Sequence, residues 1–203
     1  MKNARTPVVG APMNRTFVTL AALVVSLPAF AGPKEDVSKP LKVIVNSVRY
    51  GKDLAALKLF AGEEQGKFLL GDDWAKGTDA QRKEFVEQFH LLFGKIAFPK
   101  IRKSFENLDS VTYEEPVVTG DRAAIGSMIL INHPLKKQEL KVKYETVKQG
   151  AAYKVIDVAV LGDSMLTGIR DDQIRPIMKD GGWDNLLKLM KEKNAELKDV
   201  VLK

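Results

Sequence analysis

Apolar positions fall along the chain in successive regimes. From Val37 to Phe60, Leu41, Val43, Ile44, Val48, Leu54, Leu57 and Leu59 recur at mixed three- and four-residue steps. That spacing predicts helix, interrupted near Gly51. Gly62 and Gly66 predict a short, broken segment leading to Phe68-Leu69-Leu70-Gly71-Asp72-Asp73-Trp74. Thr78-Asp79-Ala80-Gln81 then has the form of a capping box, with Thr78 as N-cap and Gln81 reaching back. The helix it opens places Phe85, Phe89, Leu92, Phe93 and Ile96 on one broad apolar face. The pattern resumes at Ala97, Ile101, Phe105 and Leu108, so a long helix bent near Pro99 is expected.

After Asp109 the period changes from 3.6 to 2. Val111–Tyr113 reads as a short strand ended by Pro116, and Thr119-Gly120-Asp121 as a hairpin turn into a largely apolar strand, Arg122 to Ile131. His133-Pro134 makes the next turn. Leu140, Val142 and Tyr144 then alternate with Lys141, Lys143 and Glu145, giving one buried and one wet face. Gln149-Gly150 turns into Tyr153–Val160, which completes four antiparallel strands. Met165, Leu166, Ile169, Ile174, Ile177 and Met178 form an amphipathic helical segment strained by Pro176. Gly181-Gly182 breaks it, and Trp183, Leu186, Leu187 and Met190 line a last helix. No internal repeat or linker divides this pattern, so one α+β domain is predicted.

The start of the chain follows another rule. Residues 1–31 contain Lys2, Arg5 and Arg15, no acidic residue, an apolar run from Phe17 to Leu27, and Ala29-Phe30-Ala31 before Gly32. A positive region, an apolar stretch and an A-x-A site make a cleaved signal peptide. The run is shorter than the ~20 residues of a membrane span, and Pro28 closes it. Met13-Asn14-Arg15 would itself make a complete signal start. The expected organisation is a leader over 1–31 and a single domain over 32–203, located in the periplasm.

Composition then narrows the chemistry. The 203 residues carry a formal net charge of +6, of which the leader accounts for three, so the mature chain is only mildly basic. Its lysines and arginines are interleaved with acids instead of clustering beside aromatics, which argues against nucleic acid. The absence of cysteine excludes a disulfide framework, a thiolate zinc site and a lipid-modified N-terminal cysteine. His90 lies between Phe89 and Leu91 on a helix and reads as a hydrogen-bonded or partly exposed histidine, not a catalytic one; His133 precedes a proline and reads as a loop residue. Ser164, in Gly162-Asp163-Ser164-Met165, lacks the second glycine of a nucleophile elbow and fits a helix N-cap. Asp72-Asp73 and Asp171-Asp172 read as solvated helix-end carboxylates. No catalytic constellation, metal site or cofactor motif emerges. What remains is apolar excess on a sheet face and on several interrupted helices, either an ordinary core or a pocket.

Three segments in order resemble the MlaC-type family of periplasmic phospholipid-binding proteins, also called the toluene-tolerance family. The first is Leu70-Gly71-x-x-Trp74 followed by Thr78-x-x-Gln81-Arg82-x-x-Phe85-x-x-x-Phe89. The second is Val155-Ile156-Asp157 with Gly162-Asp163-Ser164-Met165, and the third is Gly182-Trp183-Asp184-x-Leu186. The resemblance spans about residues 36–196; Asp163, Pro99 and Pro176 depart from the family pattern. It implies an NTF2-like fold, a four-stranded antiparallel sheet packed under helices that enclose an apolar cavity for acyl chains. It further implies a monomeric carrier without enzymatic turnover. Such a carrier would exchange phospholipid between an inner-membrane MCE-domain and ABC-transporter complex and an outer-membrane lipoprotein–porin complex. Resemblance and periodicity together assign the pocket to Met128, Leu130, Leu140, Val142, Tyr144, Val155 and Val158 on the sheet, and to Phe85, Phe89, Phe93, Met165 and Ile169 on helices. Two other readings keep the fold: a carrier of another apolar ligand, such as a lipoprotein anchor or hopanoid, and an enzyme using Asp157.

Overall fold

The computed structural model describes residues 32–132 and 136–203. The expected leader and the His133-Pro134 turn lie outside these residues. Helix α1 (Pro33–Arg49) opens with Pro33 in its first turn, where the missing N–H costs no helical bond. It ends before Gly51, whose φ of 69° reverses the chain, and α2 (Asp53–Leu57) follows. The predicted interruption near Gly51 is therefore present.

The stretch read as broken by glycine is instead a continuous helix, α3 (Gly62–Leu70). Both glycines serve close packing. A Cβ at Gly66 would overlap the Trp74 ring, and one at Gly62 would overlap Val86. After α4 (Asp73–Lys76), the capping box forms as predicted at the start of α5 (Asp79–Phe105): Gln81 N donates to Thr78 Oγ1 at 3.2 Å and Thr78 N donates to Gln81 Oε1 at 2.9 Å. Helix α5 runs through Pro99 without interruption. Pro99 is solvent-exposed while Phe98 and Phe105 are buried, so packing of the flanking turns outweighs one lost backbone bond. Ile96 also faces outward, at 45% exposure.

Where four strands were predicted, the sheet has six among the described residues. Strands β1 (Leu108–Tyr113) and β2 (Val117–Thr119) lie in line along one edge of β3 (Arg122–Asn132). Glu114-Glu115-Pro116 separates them, and Pro116 has no N–H to give to the ladder. β3 pairs with β4 (Lys137–Gln149), β4 with β5 (Ala152–Val160), and β5 with the two-residue β6 (Asp163–Ser164), all antiparallel. A two-residue strand has no period to read, which is why β6 escaped the sequence pattern. The four long strands match those predicted.

The C-terminal helices begin with α6 (Met165–Ile169), capped by Ser164 Oγ, which accepts from Thr167 N at 3.0 Å. A single π-helical turn, Arg170–Ile174, leads into α7 (Arg175–Glu196) with Pro176 in its first turn. The wide turn just ahead accommodates the proline. Gly182, at φ 62° and ψ −154°, splits α7 at the predicted break. Among the described residues no helix is long and apolar enough to cross a membrane.

Candidate functional site

Alternation on the strands gives the sheet one apolar face. β1 contributes Tyr113, β3 contributes Ala123, Ile125, Ser127 and Ile129, and β4 contributes Val142, Tyr144 and Thr146; Val155 comes from β5. Against this face lie Val37, Leu41 and Val48 of α1, Ala56 and Leu57 of α2, and Phe98 and Phe105 of α5. Phe93, Leu140 and Val158 are partly buried at its margin. This contact joins sheet and helices through apolar side chains, and it is the candidate site.

The second apolar cluster joins helices to one another. Leu69 and Leu70 of α3, Trp74, Phe85, Phe89, Leu166, Trp183, Leu186, Leu187 and Met190 compose it. Its aromatics are close: Phe85 and Phe89 stack at 5.9 Å, and Phe85 meets Trp183 edge-on at 6.1 Å. Trp183 Nε1 donates to the Asp73 carbonyl at 2.9 Å, which satisfies its one polar atom. Phe89 and Phe93, 6.3 Å apart, link the two clusters along α5.

The sequence-assigned pocket residues divide accordingly. Val142, Tyr144 and Val155, with Phe93, Leu140 and Val158, belong to the sheet–helix contact. Phe85, Phe89 and Ile169 belong to the aromatic cluster. Met165 is half-buried and part of neither. Met128 and Leu130 lie on the opposite face of the sheet, because Met128 pairs with Lys141 and Leu130 with Glu139, whereas Ile129 pairs with Leu140 and Ser127 with Val142. A shift of one residue exchanges the two faces. β3 is apolar on both sides, so its own alternation could not choose between them. The clearer alternation of β4, carried across the pairing, would have pointed to Ile125, Ile129 and Tyr113. The helix α1 residues Val37, Leu41 and Val48 were visible as a periodic stripe but were not assigned to the site.

Two clefts open elsewhere. One of about 460 Å³ runs over the small residues Ala124, Gly126 and Ala159 on the opposite sheet face, walled by Lys141, Lys143 and Glu114. A smaller one of about 150 Å³ lies between Leu69, Leu70, Ile174 and Met178.

The polar groups near the site are structural in geometry. Asp157 Oδ1 accepts from Val158 N at 2.8 Å and Leu166 N at 3.0 Å, and Oδ2 accepts from Ser164 Oγ at 2.5 Å. That carboxylate fastens β5 to the start of α6. Its oxygens face backbone donors and a capping serine, not a base or an open cleft, which counts against Asp157 as a general base. His90 Nε2 lies 2.8 Å from Gln65 Oε1, and Gln65 Nε2 donates to the Ile156 carbonyl at 2.9 Å. Asp53, 3% exposed, pairs with Arg102, whose Nε also donates to the Val48 carbonyl at 2.9 Å. Among the described residues no group of His, Asp and Glu gathers as a metal would require. The site offers apolar area and a few hydroxyls: it can bind, and it carries no reactive pair.

Comparison with known proteins agrees with this architecture. A solved structure of a phospholipid-binding protein from Ralstonia solanacearum in complex with a phospholipid superposes with a TM-score of 0.67. It is 17% identical and the match covers 82% of this chain and 99% of that one, so the likeness is one of fold. None of the curated proteins matches the chain significantly. The sequence model described as MlaC protein matches residues 53–192, more than half of the chain and the region from α2 to the last helix. The chain belongs to the MlaC family.

Proposed function

We propose that the protein is a phospholipid carrier of the periplasm, a binding protein without enzymatic turnover. Acyl chains lie between the apolar sheet face and helices α1 and α5, and the head group stays in solvent. The observation that carries this reading is the match to the MlaC family across a domain whose sheet and helices meet through an apolar contact. The neighbouring fold that was solved with a phospholipid supports it. On this reading residues 1–31 are a cleaved leader, and the mature monomer of residues 32–203 diffuses between two membrane complexes. One is an inner-membrane MCE-domain and ABC-transporter complex, the other an outer-membrane lipoprotein–porin complex.

Physical chemistry makes a carrier necessary. Two acyl chains hold about 30 methylenes, and exposing each to water costs ~0.8 kcal/mol, so free transit would face ~24 kcal/mol. An apolar protein surface removes most of that barrier without covalent chemistry. Organic extraction of the purified mature protein, followed by mass spectrometry, is expected to recover diacyl phospholipid near one equivalent. Recovery of no lipid, even after incubation with phospholipid vesicles, would overturn the reading. Leu140→Asp, at the margin of the apolar sheet face, is expected to lower lipid content severalfold while the fold survives. Met128→Asp, on the opposite face, is expected to leave it unchanged.

A further inference from the structure

The apolar face of the sheet carries the hydroxyls of Tyr113, Ser127, Tyr144, Thr146 and Tyr153, and they are not equally served. Thr146 Oγ1 donates to the Ala123 carbonyl at 2.8 Å. Ser127 Oγ donates to Tyr144 Oη at 3.4 Å, the far limit of such a bond. Tyr113 Oη, on a residue only 8% exposed, has no hydrogen-bond partner among the described residues. The register brings these together: Tyr113 pairs with Ser127 across β1 and β3, and the Tyr113 and Tyr144 ring centroids are 6.5 Å apart. Three hydroxyls on three adjacent strands thus share one long bond. A buried hydroxyl without a partner costs about 1–3 kcal/mol, and folded proteins keep few of them.

The chemistry of the missing partner follows from the surroundings. The residues clustered around Tyr113 are hydrophobic, and Lys141 and Lys143 point from the other face. Burial raises the pKa of both tyrosines, so each remains a protonated donor. An anion would find no counter-charge here and would bear its desolvation unaided. A neutral carbonyl oxygen accepts hydrogen bonds and has no proton that needs a second acceptor. Tyr113 is also the last residue of the edge strand β1, and Glu114 and Glu115 beyond it are exposed. A carbonyl bound there would lie a few bonds from solvent, as an acyl ester lies between its chain and a wet head group.

We propose that the Tyr113 hydroxyl, flanked by Ser127 and Tyr144, donates a hydrogen bond to an acyl-ester carbonyl of the bound glycerolipid. This rests on the carrier reading and adds a polar contact to it. It makes the protein selective for ester-linked over ether-linked lipid, since an alkyl ether keeps the chain and the head group but has no carbonyl.

The test offers vesicles containing equal amounts of diacyl and dialkyl phosphatidylcholine of the same chain length. The protein is re-isolated and both lipids are quantified by mass spectrometry. A neutral hydrogen bond predicts a three- to tenfold preference for the diester. Tyr113→Phe is expected to bring the ratio close to one with the dialkyl lipid bound as before, and Ser127→Ala to lower the ratio in part. A wild-type ratio of one, or a Tyr113→Phe ratio equal to wild type, would overturn the proposal and leave the carrier reading intact. Failure to take up either lipid would overturn both. Because Tyr113→Phe removes only an unpartnered oxygen, its ligand-free melting temperature should equal or exceed that of wild type; were it to fall, the Ser127→Ala ratio decides.

Discussion

The imidazole of His90 lies between Phe60 and Phe89, with ring centroids at 6.4 and 6.1 Å, and its Nε2 faces Gln65 Oε1. The amide oxygen can only accept, so Nε2 carries the proton of a neutral ring. Burial, with a smaller push from Lys154, depresses its pKa from 6.5 to about 4. The unfolded chain therefore binds a proton that the folded chain refuses between roughly pH 6.5 and 4. The His90 contribution is fully present above pH 6.5 and is lost as the pH falls through that window, by at most about 3 kcal/mol. Urea denaturation of wild type at pH 7 and pH 4.5 should show this loss, and His90→Gln should remove most of it. Parallel losses in the two proteins would mean that other groups carry the acid sensitivity. His90 is thus a packing element, and its chemistry is confined to mildly acid pH.

Helix α3 shows how one tertiary contact reverses a propensity. Replacing a helical glycine with alanine usually stabilises by about 0.5–1 kcal/mol. At Gly66 the new Cβ would overlap the Trp74 ring. That ring is boxed by Phe85 at 6.2 Å and Trp183 at 6.1 Å, so it has nowhere to go. Overpacking of this kind costs about 1–3 kcal/mol and outweighs the propensity gain. Gly66→Ala should therefore lower the melting temperature and alter tryptophan fluorescence, whereas Gly168→Ala, with open space around it, should raise the melting temperature slightly. Equal behaviour of the two would refute the argument. The same elements mark what was legible beforehand. The capping box at Thr78, the Ser164 cap, the long strands and the break at Gly182 were readable because each is a local rule of spacing or backbone angle. Continuity of α3 through Gly62 and Gly66 depended on partners distant in sequence. The face of β3 was likewise hidden, since Met128 and Ile129 are equally apolar and only pairing with β4 distinguishes them.

Over the whole molecule the two apolar clusters are fastened by different forces. The helix–helix cluster is crossed by directional bonds: Asn194 Nδ2 donates to Gln88 Oε1 at 2.8 Å, Lys95 Nζ to the Asn194 carbonyl at 2.9 Å, and Gln81 Nε2 to Asp184 Oδ1 at 3.1 Å. Such contacts fix α5 against α7 in one register. Helix α1 rests on the sheet chiefly through Val37, Leu41 and Val48. Dispersion and hydrophobic contacts have little directionality, so α1 can shift across the sheet at lower cost than α7 can shift across α5. A lipid accommodated between layers should therefore displace α1 and spare the aromatic cluster. Hydrogen exchange under native conditions, before and after loading with phosphatidylcholine vesicles, reads this directly. Amides of α1 and β1 should change protection severalfold, because α1 moves and Tyr113 gains a partner, while the locally exchanging amides of α7 and the first half of α5 hold steady. Larger changes in α7 than in α1 would place the ligand among the aromatic rings instead. Phe85 and Phe89 would then be contact residues in their own right, and the sheet face would revert to an ordinary core.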